Sequence, residues 1–244
     1  GARRKTAGHP PAALRKEEVV TNLHGVHGPP VSEAALMSML ALSRGLPRTL
    51  RNQAQHKWER FPARLLKDKT VAIYGIGVIA EELAPKCKAF GMTVVGISST
   101  RSSVPGFDRI HPRAELAQAV RSADYLVLLT PYTAATRNSV DAGVLAAMKP
   151  AAYLINLARG GVVDEAALLD VLSRKRIAGA ALDVFAEEPL PADHPFWAME
   201  DVIITTHQGG FCDVYVNFAM PVITENLRRF LAGDAAGMVN LVKR

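Results

Sequence analysis

Three polar residues stand at the ends of apolar runs in the second half of the chain: Arg159 in "LINLARGGVVDE", Glu188 in "AALDVFAEEPLP" and His207 in "VIITTHQGG". A guanidinium offers a planar fork that matches both oxygens of a carboxylate and can polarise a neighbouring ketone. An imidazole can give up a proton near neutral pH, and a buried carboxylate beside it would hold the ring in its charged form. Each residue also has a plainer reading. Arg159, followed by two glycines, could close a helix, Glu188 before Pro189 could be a solvated loop acid, and His207 could be a satisfied core histidine. Their joint occurrence in this order favours chemistry over packing.

A second feature supplies what that chemistry would act with. "VAIYGIGVIAEELA" places Gly75 and Gly77 in a turn between a strand and a helix, with Val78 and Ile79 opening the helix and Ala80 where a third glycine often sits. Such glycines let the backbone approach a pyrophosphate, and the free N–H groups of the helix start receive it. An ordinary tight turn is the alternative. The next strand, "TVVGISSTRSS", ends in Ser98, Ser99, Thr100 and Arg101, where a dinucleotide site usually places an acid that grips the adenine ribose. Without that acid a ribose 2′-phosphate is not repelled, and three hydroxyls and a guanidinium can bind it. NADP is therefore the expected cofactor, in preference to NAD. Arg159, Glu188 and His207 converging on a nicotinamide would reduce a 2-keto acid.

These side chains need a scaffold that brings strand ends together. From Thr70 to Thr206 apolar runs alternate with amphipathic segments, and the runs "TVAIY", "TVVGI", "YLVLL", "AYLINL", "IAGAALDV" and "VIIT" read as strands buried on both faces. The pattern predicts an α/β fold with a doubly wound parallel sheet. "VDEAALLDVLSRK" reads as a helix capped by Asp164 with Arg174 and Lys175 at its end, and "RAELAQAVRS" as another. Val31 to Leu46 is apolar on nearly all sides, which predicts a helix buried against another domain or subunit. Phe211 to Gly233 reads as a second long helix, kinked at Pro221. Residues 1–18 read as a loop or frayed end.

Composition narrows the classes. The 244 residues are 49% hydrophobic and 21% charged, with two cysteines, Cys87 and Cys212, so no disulfide framework or cysteine-rich metal cluster is expected. The net charge of +6 is spread without aromatic interleaving, which argues against a nucleic-acid reader and for a mild preference for anionic ligands. No apolar run approaches the roughly 18 residues of a membrane span. A soluble, cytoplasmic protein is the expectation. His24 and His27 are too few for a metal site, and no metal is expected.

The motifs "NLARGGVVDEAAL", "GAALDVFAEEPLP" and "HPFWAMEDVIITTH" resemble the D-isomer-specific 2-hydroxyacid dehydrogenases, the family that includes glyoxylate/hydroxypyruvate reductases and phosphoglycerate dehydrogenases. The resemblance runs from about Val19 to the C-terminus. It implies a Rossmann-type domain, with Arg159, Glu188 and His207 as the catalytic residues. Asp183 would hold the nicotinamide carboxamide, Thr130, Pro131 and Thr136 would line the adenosine side, and Leu157, Ala158, Gly209 and Gly210 would complete the cofactor site. It further implies a homodimer, and domains at 1–30 (remnant of a flavodoxin-like substrate domain, its N-terminal part missing), 31–208 (dinucleotide binding) and 209–244 (C-terminal helix and tail). The chain departs from the pattern at Gln208-Gly209-Gly210 and in its short start, which holds no recognisable loop for the substrate carboxylate. A nucleotide-sensing scaffold, like the C-terminal-binding-protein corepressors, is the rival reading, and an inert fragment the third.

Overall fold

The computed structural model describes residues 18–242, so the expectation for the first eighteen residues lies almost wholly outside the described part. Two compact units divide it: residues 27–211, and residues 18–26 together with 212–242. In the larger unit seven strands form one sheet: β1 Thr70–Tyr74, β2 Thr93–Ser98, β3 Arg109–Pro112, β4 Tyr125–Leu128, β5 Tyr153–Asn156, β6 Gly179–Leu182 and β7 Val202–Ile204. Their order is β3-β2-β1-β4-β5-β6-β7, every neighbouring pair parallel. The doubly wound parallel sheet follows from residues that alternate sides yet are apolar on both. Ala72, Tyr74, Leu126, Leu128 and Leu154 enter one core cluster, while Val71, Ile73, Tyr125, Val127 and Ile155 enter another on the opposite face.

Helices cover both faces: α1 Gly28–Ser43, α2 Leu46–Ala54, α3 Val78–Ala89, α4 Leu116–Val120, α5 Ala142–Ala147 and α6 Glu165–Ser173. Asp164 caps α6 as expected, its side chain accepting from the Ala167 N–H. The reading of "RAELAQAVRS" shrinks to a short 3₁₀ turn plus α4, five residues long.

The apolar helix α1 is covered in part within its own unit. Val31, Ala35, Met39 and Leu42 are buried, and Ala35, Met39 and Leu42 share a core cluster with Leu83, Ala84 and Cys87 of α3. These residues are thus buried within its own unit, while Leu36 and Leu40 are only partly buried. Small residues permit the close approach: Ser32, Ser38 and Ser43 are buried, each hydroxyl donating to a carbonyl of α1 itself at 2.8–3.0 Å. Gly45, at φ +66, ends the run and turns the chain into α2. Met37 on α1 stays exposed, as do Leu46, Leu50, Trp58 and Leu65 beyond it.

The smaller unit holds α7, Tyr215–Leu231, with Pro221 inside it. Asn226, buried, donates to Val239 O at 3.0 Å and accepts from the Val239 N–H at 2.7 Å, which ties α7 to the tail. The tail continues into an antiparallel bridge between Thr21 and Leu241. No described helix is long and apolar enough to cross a membrane.

Candidate active site

In a parallel sheet every strand delivers its carboxyl end to the same edge, and that edge collects the residues singled out by the sequence. β1 ends at Tyr74 and runs into Gly75, whose φ of +100 suits only glycine. A Cβ there would fall 2.5 Å from the Thr130 nitrogen, so the turn presses against the end of the neighbouring strand. Gly77 is different: a Cβ would meet nothing within 4 Å, and no side chain caps the start of α3. Val78 and Ile79 open α3 over that free space, and Ala80 is buried in the core. Uncapped N–H groups facing an open space next to a glycine fit a pyrophosphate, as the sequence pattern requires.

The residues expected to line the adenosine are more mixed. Thr130 is buried and Pro131 exposed. Thr136 is buried with its hydroxyl spent inside the loop, bonding Pro131 O at 2.6 Å and the Thr133 N–H at 2.8 Å. It shapes the loop from within. At the end of β2 the Ser98 hydroxyl accepts from the Thr100 and Arg101 N–H groups at 3.2 and 3.1 Å, fixing a tight turn with Ser99 and Thr100 exposed. The Arg101 guanidinium folds back onto α3 and pairs with Glu81 in its first turn.

β5, β6 and β7 are adjacent strands in register, with Asn156 opposite Leu182 and Leu182 opposite Ile204, and Arg159, Asp183 and His207 follow their ends. Arg159 therefore follows β5 by three residues, Asp183 follows β6 directly, and His207 follows β7 by three. Neighbouring strands lie about 4.8 Å apart, which puts these side chains within reach of one small molecule. Asn156, an isolated polar group that is buried, accepts the Ala158 N–H at 3.1 Å and donates to Arg159 O at 3.2 Å. It holds Leu157 and Ala158 in the bend that presents Arg159. The Arg159 Nη1 donates to Ala158 O at 2.6 Å. Gly160 follows because a Cβ would fall 1.9 Å from the Phe185 carbonyl carbon.

Glu188 and His207 meet. The His207 Nδ1 lies 2.7 Å from Glu188 Oε2, while Glu188 Oε1 accepts from the Phe185 N–H at 3.0 Å. Both carboxylate oxygens are engaged, so the imidazole is oriented and its Nε2 is left as the atom that can hold a proton for transfer. His207 has a left-handed backbone, φ 53, a conformation costing on the order of 1 kcal/mol or more for a non-glycine residue. Asp183 supplies the compensation. Its backbone carbonyl accepts from the His207 N–H at 2.8 Å, and its buried carboxylate accepts from the Gln208 and Gly209 N–H groups at 3.0 Å each and from Thr205. Gly209 packs on that carboxylate and on Leu157, and a Cβ on Gly210 would strike the His27 ring at 2.7 Å.

Asn156 and His27 were not singled out as site residues by the sequence pattern. The lone asparagine in "YLIN" was the available signal for the first, since an amide in an otherwise apolar strand needs a partner. His27 was considered only as a metal ligand with His24; among the described residues no group of three or more His, Cys, Asp or Glu could hold a metal. The structure sets it beside Gly210, where burial and then the Arg159 charge push its pKa below the usual value. A depressed histidine stabilises the fold above the ordinary histidine value of about 6.5 and withdraws that stability as pH falls through its lower folded value. His27→Asn should therefore flatten the loss of melting temperature between neutral and mildly acid pH; parallel curves for parent and variant would contradict this.

A doubly wound sheet with a glycine turn at one strand and an oriented histidine–carboxylate pair at another defines a dinucleotide-dependent class of protein. Residues 36–209 match the model for the "D-isomer specific 2-hydroxyacid dehydrogenase, NAD binding domain". The chain belongs to that family, and its cofactor class is NAD or NADP. It is 33% identical over 237 residues to D-3-phosphoglycerate dehydrogenase of Methanocaldococcus jannaschii, covering 94% of this chain and 44% of that protein. It is 31% identical over 212 residues to glyoxylate/hydroxypyruvate reductase A of Photorhabdus laumondii, covering 86% of this chain and 67% of the relative. Among solved structures, a D-isomer specific 2-hydroxyacid dehydrogenase from Xanthobacter autotrophicus in complex with NADPH and MES superposes with a TM-score of 0.81 at 32% identity, covering 93% of each chain. The chain thus spans under half the length of the phosphoglycerate dehydrogenase that it matches.

Proposed function

We propose that the chain carries the cofactor domain and the acid–base residues of a reductase that interconverts small 2-keto acids and D-2-hydroxy acids. The observation that supports this reading best is the His207–Glu188 contact at 2.7 Å, set beside Arg159 at the same sheet edge. When bound, the nicotinamide would supply or accept the hydride. Arg159 binds the substrate carboxylate in a fork and polarises the ketone next to it. His207 gives the proton from Nε2 to the ketone oxygen in reduction and takes it back in the reverse direction. Glu188 fixes the imidazole and balances the charge that it carries. Asp183 holds the loop that presents His207, with Oδ2 retaining lone-pair capacity for a carboxamide N–H.

Cofactor oxidation in the presence of glyoxylate or hydroxypyruvate, followed by loss of reduced nicotinamide absorbance, tests the reading. Tight cofactor binding without turnover on any 2-keto acid would favour the scaffold role instead.

NADP is the preferred cofactor in this proposal. The end of β2 lacks an acid, and Arg101 turns toward α3 and the glycine turn. The Xanthobacter relative was crystallised with NADPH. A charge-assisted contact to the 2′-phosphate is worth about 1.5–3 kcal/mol, roughly tenfold to a hundredfold in affinity. Arg101→Ala should weaken NADPH by that factor and leave NADH unchanged, as read from the two dissociation constants. Equal losses for both would show that Arg101 reads no phosphate. The working unit is proposed to be a cytoplasmic homodimer that buries the exposed Leu50, Trp58 and Leu65; a monomer mass at micromolar concentration would count against it.

A further inference from the structure

We propose that Glu81 sets the cofactor selectivity by opposing Arg101, so that this one carboxylate decides how strongly NADP(H) is favoured. The inference rests on the reading of Arg101 as the 2′-phosphate contact and extends it to a residue on another element. Glu81 lies in the first turn of α3, four residues after Gly77, with its N–H bonded to Gly77 O at 3.0 Å. Its carboxylate pairs with the Arg101 guanidinium, both side chains being partly exposed at 43% and 39%. The turn that brings Arg101 there is fixed by Ser98, which accepts the Arg101 N–H at 3.1 Å.

Two charges therefore face the space beside the end of β2, where a dinucleotide places its adenine ribose. A 2′-phosphate arriving there gains Arg101 only by drawing it from Glu81, and then sits close to that carboxylate. Both effects weaken phosphate binding. A ribose with a free 2′-hydroxyl carries no charge to be repelled and does not need the arginine. Glu81 thus restrains NADPH and is nearly silent toward NADH. The simpler account, an acid that complements the positive end of α3, assigns it a small gain in stability and no effect on selectivity.

The two accounts separate in a binding experiment on the intact chain. Dissociation constants for NADPH and NADH are measured by fluorescence titration for the parent, Glu81→Gln, Arg101→Ala and the double variant, with melting temperature as the check on folding. Glu81→Gln is expected to tighten NADPH about threefold to fivefold and to move NADH less than about twofold, the scale of one partly exposed ion pair. The double variant should bind NADPH more weakly than Glu81→Gln alone, because the freed arginine is what the phosphate gains. No change in NADPH affinity for Glu81→Gln, or selective weakening of NADH as expected of an acid that grips the ribose diol, would overturn the proposal. Arg101→Ala judges the underlying reading separately: if it spares NADPH, the arginine does not read the phosphate, whatever Glu81 does.

Discussion

Arg159→Lys is expected to lower kcat/KM for a 2-keto acid by about 10²-fold or more, while cofactor binding and melting temperature stay near the parent values. Lysine keeps the charge but loses the planar fork that engages both carboxylate oxygens at once. The arginine is also placed by its surroundings, with Nη1 on Ala158 O at 2.6 Å and its own carbonyl held by Asn156. An ammonium on a flexible stem would meet neither the local carbonyl nor the substrate in the same geometry. A loss of roughly 3 kcal/mol in the transition state corresponds to the stated factor. Steady-state kinetics on glyoxylate and hydroxypyruvate provide the measurement, and an unchanged kcat/KM would remove Arg159 from the mechanism.

The second large effect belongs to His207. Asparagine is the informative replacement, because it tolerates the left-handed backbone that His207 adopts at φ 53 and so leaves the loop intact. It cannot carry the proton. General acid–base groups contribute about 10²- to 10⁴-fold, and a fall in kcat of that order is expected with little change in cofactor affinity. Glu188→Gln keeps the size and one acceptor but removes the charge facing Nδ1, which should cost about tenfold to a hundredfold. In the proposed mechanism the two residues act as one unit, so the double variant should be scarcely worse than His207→Asn alone. Additive losses would mean that Glu188 acts elsewhere.

The sheet was legible because its physics is local and repeated. Strands covered on both faces are apolar at nearly every position, and six of the seven announced themselves this way, β7 among them although its three residues are only half-buried at the sheet's other edge. β3 did not, since "RIHP" is an edge strand of four residues with an arginine and a proline, and an edge has less to bury. The helix over Val31 to Leu46 was found but misplaced: it begins at Gly28, with a proline in its first positions, and stops at Ser43 before Gly45 turns the chain. Apolarity says that a face is covered and not by what: Ala35, Met39 and Leu42 pack against α3, while Met37 on the same helix stays exposed.

The candidate site divides along the same line. Arg159, Glu188 and His207 stand in recognisable strings at strand ends. The contacts that set them, Asn156 to the Arg159 loop and Asp183 to the loop of His207, span from two to 26 residues and require the fold to be seen. Glu81 was hidden for another reason. An acid in the first turn of a helix has an ordinary explanation, and only the three-dimensional approach of Arg101 gives it a second.

β1 lies between β2 and β4, so the sheet is split at the glycine turn into two arms. Everything proposed to choose the cofactor, Glu81 and residues 98–101, comes from one arm and its helix, while Arg159, Asp183, Glu188 and His207 all come from the other. On the proposed assignment the two properties can therefore change separately. A lineage could exchange NADPH for NADH through substitutions between Gly77 and Arg101 and keep its chemistry untouched, or acquire a different reaction on β5 to β7 and keep its link to the same pool of reducing equivalents.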